Sequence, residues 1–420
     1  MKKQYLHKAH IDEKGDLIIP GELVSRFGFQ PGVDVYIEEG NNEIRVYRPV
    51  SQLAKIYIEV TNLCNLDCQT CMRNVWGEPS GLMSDATFEK IFSEVQELPA
   101  LPTIFFGGYG EPLLHPKILD WVKRFKEIGA RVELISNGLL LTEERSLQFI
   151  RFGLDVLWIS LDGSSEESYV DIRLGSSLPQ VIDNLRKLRY IRHKATDIDN
   201  SLPNLGIAFV AMKKNIKDLP EVLQLGIQLG ATRFSISNVL PHTTELNDQI
   251  LYKRSMQNMI GRQNTAYPLV NLSRMDWNEV TKEVLTYIYS RKFRLELAGF
   301  EYNRAVDNCP FIEQGSMSIR WDGSVSPCLP LLHTNQYVCR LQLRKTMNYS
   351  LGNINENGVL GIWKNEKYES LRDRLQRFDF SPCTFCDGCE LSEDNINDCL
   401  GNTELACGGC LWAQGFIRCP

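Results

Sequence analysis

The sequence predicts an α/β fold, preceded by a small β-rich segment and followed by a cysteine-rich one. Three observations lead there. Between about 54 and 245, six apolar, β-rich runs alternate with helix-period stretches, the pattern of a parallel sheet with right-handed crossovers. Ahead of it, residues 1–50 hold four short alternating stretches divided by turn residues. Behind it, ten of the 13 cysteines crowd between 309 and 419.

Composition narrows the function classes. A chain of 420 residues has room for two or three domains with a core in each. Its net charge of −6 supplies no attraction for nucleic acid or an anionic membrane. The opening residues carry lysines without the apolar run of a signal peptide, and no run of about twenty apolar residues follows anywhere. The expectation is a cytoplasmic protein. The odd, clustered cysteines do not read as the evenly spread framework of a short secreted scaffold; they read as metal or iron–sulfur ligands.

In residues 1–50 the stretches LHKAHI, DLIIP, VDVYIEE and EIRVYRP predict strands, and GELVSRFGF predicts one helix stopped by Pro31 and Gly32. The segment resembles the AbrB-like swapped-hairpin fold, whose members usually dimerise and bind DNA. Here seven Lys/Arg stand against eight Asp/Glu. That balance favours docking, or a homodimer through residues 1–50, over DNA. In the next segment the strands are KIYIEVT, TIFFGGYG, VELISNG, DVLWISLDG, NLGIAFVAM and TRFSISNVL, with helices at 84–98, 115–128, 142–152, 178–193 and 216–229. This pattern fits an open sheet and a curled partial barrel equally. Residues 246–299 read as a polar, helical linker. From 300 to 420 little regular structure is expected beyond a helix in KYESLRDRLQRF, and a region with so thin a core folds around metal.

Cys64, Cys68 and Cys71 form C-x3-C-x2-C directly after the first core strand. Three thiolates on one loop hold three irons of a [4Fe–4S] cube and leave the fourth iron open, as catalytic metals require. The competing reading is a zinc loop completed from a distance; the lack of His between residues 11 and 114 speaks against it, as does a position where parallel α/β folds carry active sites.

This motif in this place resembles the radical S-adenosylmethionine (radical SAM) superfamily, and the resemblance implies a partial (β/α)6 barrel. It also implies that S-adenosylmethionine chelates the open iron and is cleaved by one electron to a 5′-deoxyadenosyl radical. Thr70 stands where the family usually has an aromatic residue. Gly107, Gly108 and Glu111 resemble the family's GGE motif for the methionine amine, with Tyr109 and Gly110 inserted. Ser136 and Asn137, and Ser160 and Asp162, lie at the next strand ends as candidates for ribose and carboxylate; they are equally suited to N-cap the following helices. Arg173 resembles the carboxylate-clamping arginine, and a surface ion pair is its plainer alternative. Asn215 matches a residue that reaches the adenosine.

Cys309, Gly323 and Cys328 open a pattern that continues through Cys383, Cys386, Cys389, Cys399, Cys407, Cys410 and Cys419. It resembles the SPASM extension, which implies two auxiliary [4Fe–4S] clusters needing eight thiolates, although the later spacing departs from the common form. Paired zinc sites fit C-x2-C equally well. Cys339 stands apart as a spare thiol. The segments AKIYIEVTNLCNLDCQTCMRNVW and LACGGCLWAQGFIRCP, with the N-terminal segment, resemble radical SAM maturases of tungsten-containing aldehyde:ferredoxin oxidoreductases. That resemblance implies action on the oxidoreductase, its tungsten–pterin cofactor or an accessory peptide, with a low-potential electron donor. The alternatives are a SPASM-type enzyme crosslinking peptides and a redox-sensing DNA-binding regulator with a degenerate core.

Overall fold

Apolar runs of four to eight residues, alternating with amphipathic helices, build the centre of the molecule. The computed structural model describes residues 7–39, 44–194, 203–261, 266–297, 300–340, 342–384, 386 and 389–420. At the N-terminal side, β1 (His10–Ile11) and β2 (Leu17–Ile18) form one antiparallel hairpin. Asp12 Oδ1 accepts from the Lys14 and Asp16 amides in its turn, and Gly15 takes the positive φ. Helix α1 (Gly21–Phe27) stops at Gly28, and β3 (Ile37–Glu39) pairs with β4 (Ile44–Val46) as a second hairpin. The predicted elements are present but the strands are much shorter than the apolar stretches. Ile11, Leu17, Ile18, Ile37 and Ile44 remain exposed and α1 buries no residue, so nothing extends the pairing by packing.

The central strands are β5 (Lys55–Ile58), β6 (Thr103–Phe106), β7 (Val132–Ser136), β8 (Val156–Ser160), β9 (Asn204–Ala211) and β10 (Ala231–Asn238). They lie side by side, parallel, in chain order. Helices α2 (Asp85–Gln96), α3 (Ile118–Glu127), α4 (Glu143–Phe152), α6 (Leu178–Lys194) and α7 (Leu219–Gln228) are the five expected. Ser84 and Thr142 accept amide hydrogen bonds as N-caps of α2 and α4. An additional short helix, α5 (Glu166–Val170), is set by the capping box of Ser165 and is too short to show a period. Phe88 of α2 stacks on Trp121 of α3 at 4.2 Å over the fully buried Ile58, Phe106 and Leu134. Each such side chain contributes roughly 1.5–3 kcal/mol when buried.

Residues 246–299 correct the expectation of a helical linker. Three short helices, α8 (Thr244–Asn247), α9 (Lys253–Asn258) and α10 (Lys282–Tyr289), accompany a small sheet of β11 (Leu269–Leu272), β12 (Arg294–Leu297) and β13 (Phe300–Glu301). The parallel β11–β12 pairing joins residues 25 apart (Leu269 with Arg294), which no local period reveals. Past α11 (Pro310–Glu313), strand β14 (Ser316–Ile319) pairs parallel with β5, and β15 (Ser324–Ser326) continues antiparallel. The β16 (Asn335–Cys339) and β17 (Gln342–Thr346) hairpin follows, and β18 (Gly352–Asn353) then ends the sheet beside β15. Helix α12 (Ile354–Trp363) packs on α2, and α13 (Glu366–Arg377) lies where KYESLRDRLQRF predicts a helix. The nine-stranded sheet keeps two edges, β10 and β18, so the six-strand core is a partial barrel and not a closed one. Among the described residues no helix is long and apolar enough to cross a membrane.

Candidate active site

The loop after β5 carries Cys64, Cys68 and Cys71, each half-buried. Its course is held locally. Thr61 Oγ1 accepts from the Leu63 amide at 3.0 Å and donates to the Gly81 carbonyl at 2.6 Å, while the Cys71 amide donates to the Cys68 carbonyl at 3.0 Å. The turn after β6 presses directly on this loop. A Cβ on Gly110 would sit 2.2 Å from the Thr61 carbonyl oxygen, so only glycine lets the two backbones approach.

Two cations face the thiols. Arg73 Nε donates to Cys71 Sγ at 3.3 Å while its guanidinium also holds the Leu66 carbonyl at 2.7 Å. Burial pushes the Cys68 thiol up to about 11, and Arg173 pulls against that rise; burial raises Cys64 as well. Asn137 Nδ2 lies 3.9 Å from Cys64 Sγ. Soft sulfur donors with positive charge and N–H groups around them suit an iron–sulfur cluster, and loading it releases the thiol protons. Among the described residues no three His, Cys, Asp or Glu converge as a single-ion site requires, so the fit rests on this donor set.

The other strand ends hold the remaining predicted residues in two groups. In the first, Glu111 is buried: Oε1 accepts from the Leu113 amide and Ser136 Oγ at 3.0 and 2.8 Å, and Oε2 from the Asn137 amide at 2.7 Å. Burial raises its pKa against those three donors. Glu111 thus clamps the ends of β6 and β7, and Ser136 is taken up by the same clamp and by the Gly138 amide. Gly107 and Gly108 pass so close to Ile135 and Glu59 that added Cβ atoms would meet them at 2.5 and 2.6 Å.

In the second group, Asp162 accepts from the Val210 amide at 2.7 Å and pairs with Arg173 at 2.7 Å. Burial works against the Arg173 charge, but Asp162 keeps its pKa above the ordinary value. Arg173 Nε is buried and has no hydrogen-bond partner among the described residues. Asn215 is fully buried and uses its whole amide internally, donating to the Asp162 and Val210 carbonyls and accepting from the Met212 amide. It latches the loops beyond β8 and β9. Ser160 sits half-buried at the end of β8.

Sequence reasoning missed Arg73 and a buried histidine bridge. His333, wholly enclosed, places Nε2 2.8 Å from Glu59 and Nδ1 2.6 Å from Glu78, with the Trp76 ring 4.0 Å away. Burial opposes its charge, yet the two carboxylates raise its pKa overall. Glu59 also accepts from the Tyr109 amide at 3.0 Å, tying the cysteine loop and the β6 turn to the C-terminal region. A lone acid in the apolar run IYIEVT was the available signal.

The second cysteine group separates in space. Cys309, Cys328, Cys383, Cys407 and Cys410, all half-buried, line one cavity of about 70 Å³. Burial and the neighbouring Cys309, Cys410 and Cys407 raise Cys328 together. Cys386, Cys389 and Cys399 are exposed, and Cys383, whose Sγ is 2.9 Å from Ser381 Oγ, is the member near Cys399. Cys339 is buried against Met256, Sγ to Sδ 3.8 Å. Cys419 lines a different cavity, of about 220 Å³, which Cys71 also lines.

Comparisons with known proteins agree with this geometry. Residues 58–198 match the Radical SAM superfamily, and residues 309–390 match SPASM, an iron–sulfur cluster-binding domain. The tungsten-containing aldehyde ferredoxin oxidoreductase cofactor-modifying protein of Pyrococcus furiosus is 32% identical over 87% of this chain and 96% of its own. A PqqA peptide cyclase of Bradyrhizobium diazoefficiens is 30% identical over 44% of this chain and 46% of its own. The structure of Streptococcus suis SuiB bound to S-adenosylmethionine has the same fold. It superposes with a TM-score of 0.52 at 15% identity, covering 80% of this chain and 71% of that one.

Proposed function

The chain belongs to the radical SAM superfamily, in the family of the tungsten-oxidoreductase cofactor-modifying protein, and from that premise we propose how its residues act. Cys64, Cys68 and Cys71 would hold the catalytic [4Fe–4S] cluster, three thiolates leaving one iron for the cofactor. Bound there with S-adenosylmethionine, such a cluster supplies the electron that yields a 5′-deoxyadenosyl radical. Arg173, oriented by Asp162, would take the cofactor's carboxylate on its guanidinium. Glu111, Ser136 and Asn137 shape the β6 and β7 turns that receive the methionine end, and Asn215 holds the loop that borders the adenosine. The single observation carrying this reading is the three-thiol loop at the strand ends, flanked by Arg73 and Arg173.

The substrate is the tungsten–pterin cofactor, its oxidoreductase or an accessory peptide, served by a low-potential electron donor. The name of the P. furiosus relative supports the cofactor reading. Peptide crosslinking is the second reading, favoured by the partial match to a peptide cyclase. Two auxiliary clusters fit the thiols: Cys309, Cys328, Cys407 and Cys410 in the C-terminal pocket, and Cys383, Cys386, Cys389 and Cys399 in an outer set. Residues 1–50, 54–245, 246–299 and 300–420 serve as attachment, radical, connecting and auxiliary-cluster units. The exposed isoleucines of the first unit are those a second copy would cover. Anaerobic reconstitution, dithionite reduction and an assay for 5′-deoxyadenosine test the chemistry. Formation by the wild type and none by a Cys64/Cys68/Cys71→Ala variant supports it; a silent wild type that binds zinc ends it.

A further inference from the structure

Strand β17 faces the reverse way from an ordinary hairpin strand. Successive side chains of a strand point to opposite faces. In β17 that alternation puts Leu343 outside, 56% exposed, and Arg344 inside, 3% exposed. An apolar side chain is left in water while a cation is buried, against the usual partition. A buried guanidinium is costly unless negative charge lies beside it. Arg344 has no such partner in the polypeptide. Its hydrogen bond goes to a backbone carbonyl, its Nε is buried with no partner, and no Asp or Glu forms an ion pair with it among the described residues.

What surrounds Arg344 is thiol. Nη2 donates to the Cys383 carbonyl at 2.8 Å. A Cβ on Gly409 would meet Nη1 at 2.5 Å, so the guanidinium lies against the turn between Cys407 and Cys410. Tyr337, opposite Arg344 in the hairpin, fixes the same turn by donating to the Gly409 carbonyl at 2.8 Å. Arg344 lines the cavity of about 70 Å³ together with Cys309, Cys328, Cys383, Cys407 and Cys410. It therefore stands between Cys383 of the outer set and the thiols of the inner one. Burial raises Cys309, Cys328 and Cys407, so as free thiols they are neutral and offer the cation no counter-charge. Burial raises Cys383 too, and Ser381 and Arg344 pull against that rise. An iron–sulfur cluster held by four thiolates is a net anion, and more so once reduced. The donor set and the uncompensated cation thus fit the same group.

We infer that Arg344 is the counter-charge of the auxiliary clusters, a positioning residue that raises the reduction potential of the cluster beside it. The inference rests on the auxiliary-cluster reading and names the residue that sets how readily that cluster takes an electron. A fixed cation nearby favours the more negative, reduced state. The test uses the full chain carrying Cys64/Cys68/Cys71→Ala, reconstituted anaerobically, so that only auxiliary iron gives an EPR signal. Dithionite titration is followed by EPR, with iron content read beside it. In Arg344→Gln the ratio of reduced to oxidised cluster at the parent midpoint falls about tenfold, which is 59 mV for a one-electron couple. Arg344→Lys keeps the charge and restores most of that ratio. An unchanged midpoint in Arg344→Gln with full iron overturns the inference, as does an Arg344→Lys midpoint shifted as far as that of Arg344→Gln. Should Arg344→Gln lose its iron, Arg344→Lys decides: iron retained at the parent midpoint supports the charge role, and iron lost there as well overturns it. A parent chain that loads zinc instead of auxiliary iron ends the cluster reading itself, an outcome distinct from a failed Arg344 effect in an iron-loaded chain.

Discussion

The two cysteine regions use the same donor for opposite ends. The loop of Cys64, Cys68 and Cys71 packs three half-buried thiols into eight residues beside two guanidiniums, one of which touches a sulfur. The C-terminal pocket collects Cys309, Cys328, Cys407 and Cys410, themselves half-buried, from distant stretches, and burial pushes Cys309 to about 12. A short loop with one ligand too few leaves metal reactive; a pocket that draws in four thiols ties the chain together. Both sets are half-buried, so what separates them is ligand count, neighbouring charge and how far along the chain the thiols are drawn from.

The widest expected effect tests the open half. The Cys64/Cys68/Cys71→Ala variant loses 5′-deoxyadenosine formation to background and about four irons per chain, while the auxiliary clusters' EPR signals persist. Cys407→Ala tests the closed half. It lowers the anaerobic melting temperature and the iron content together and leaves the radical-site EPR signal in place; a variant that melts unchanged would remove the stapling role. Asp162→Asn comes next, because it strands the buried Arg173 charge. A loss of about 3–5 kcal/mol in urea unfolding, with weakened S-adenosylmethionine binding, is expected.

The histidine bridge joins the two halves and gives a pH signature. His333 has a raised pKa in the folded chain, so its contribution is complete below the unfolded value of about 6.5 and fades as pH rises through the folded value. Wild-type unfolding free energy should fall across that window, and His333→Gln should flatten the slope at a cost of roughly 1–3 kcal/mol. The smallest effect is Arg73→Gln, which removes a donor to Cys71 sulfur. Chelators should then extract iron from the catalytic site a few-fold faster, with the auxiliary iron unaffected.

Much of this was legible along the chain. The six strands follow from runs such as VLWIS, apolar on both faces as a covered parallel strand must be. The cysteine loop follows from spacing alone. Individual roles were less legible. Glu111 is expected to meet the cofactor's amine, and three of its acceptor sites already clamp the strand ends; Asn215, expected near the adenosine, bonds three backbone groups. A motif names a residue type, while its free lone pairs depend on which amides the fold brings near.

The sequence by itself determined the six core strands, their five helices and the ligand chemistry, because apolar period and thiol spacing act over a few residues. Only the tertiary structure decided how the cysteines divide, which acids face His333 and what walls the cavity by Cys71. Those outcomes depend on contacts between residues far apart along the chain, Cys309 with Cys410, Glu59 with His333 and Lys55 with Pro420 among them. Burial sets the strength of such contacts, and burial exists only once the chain has folded around them.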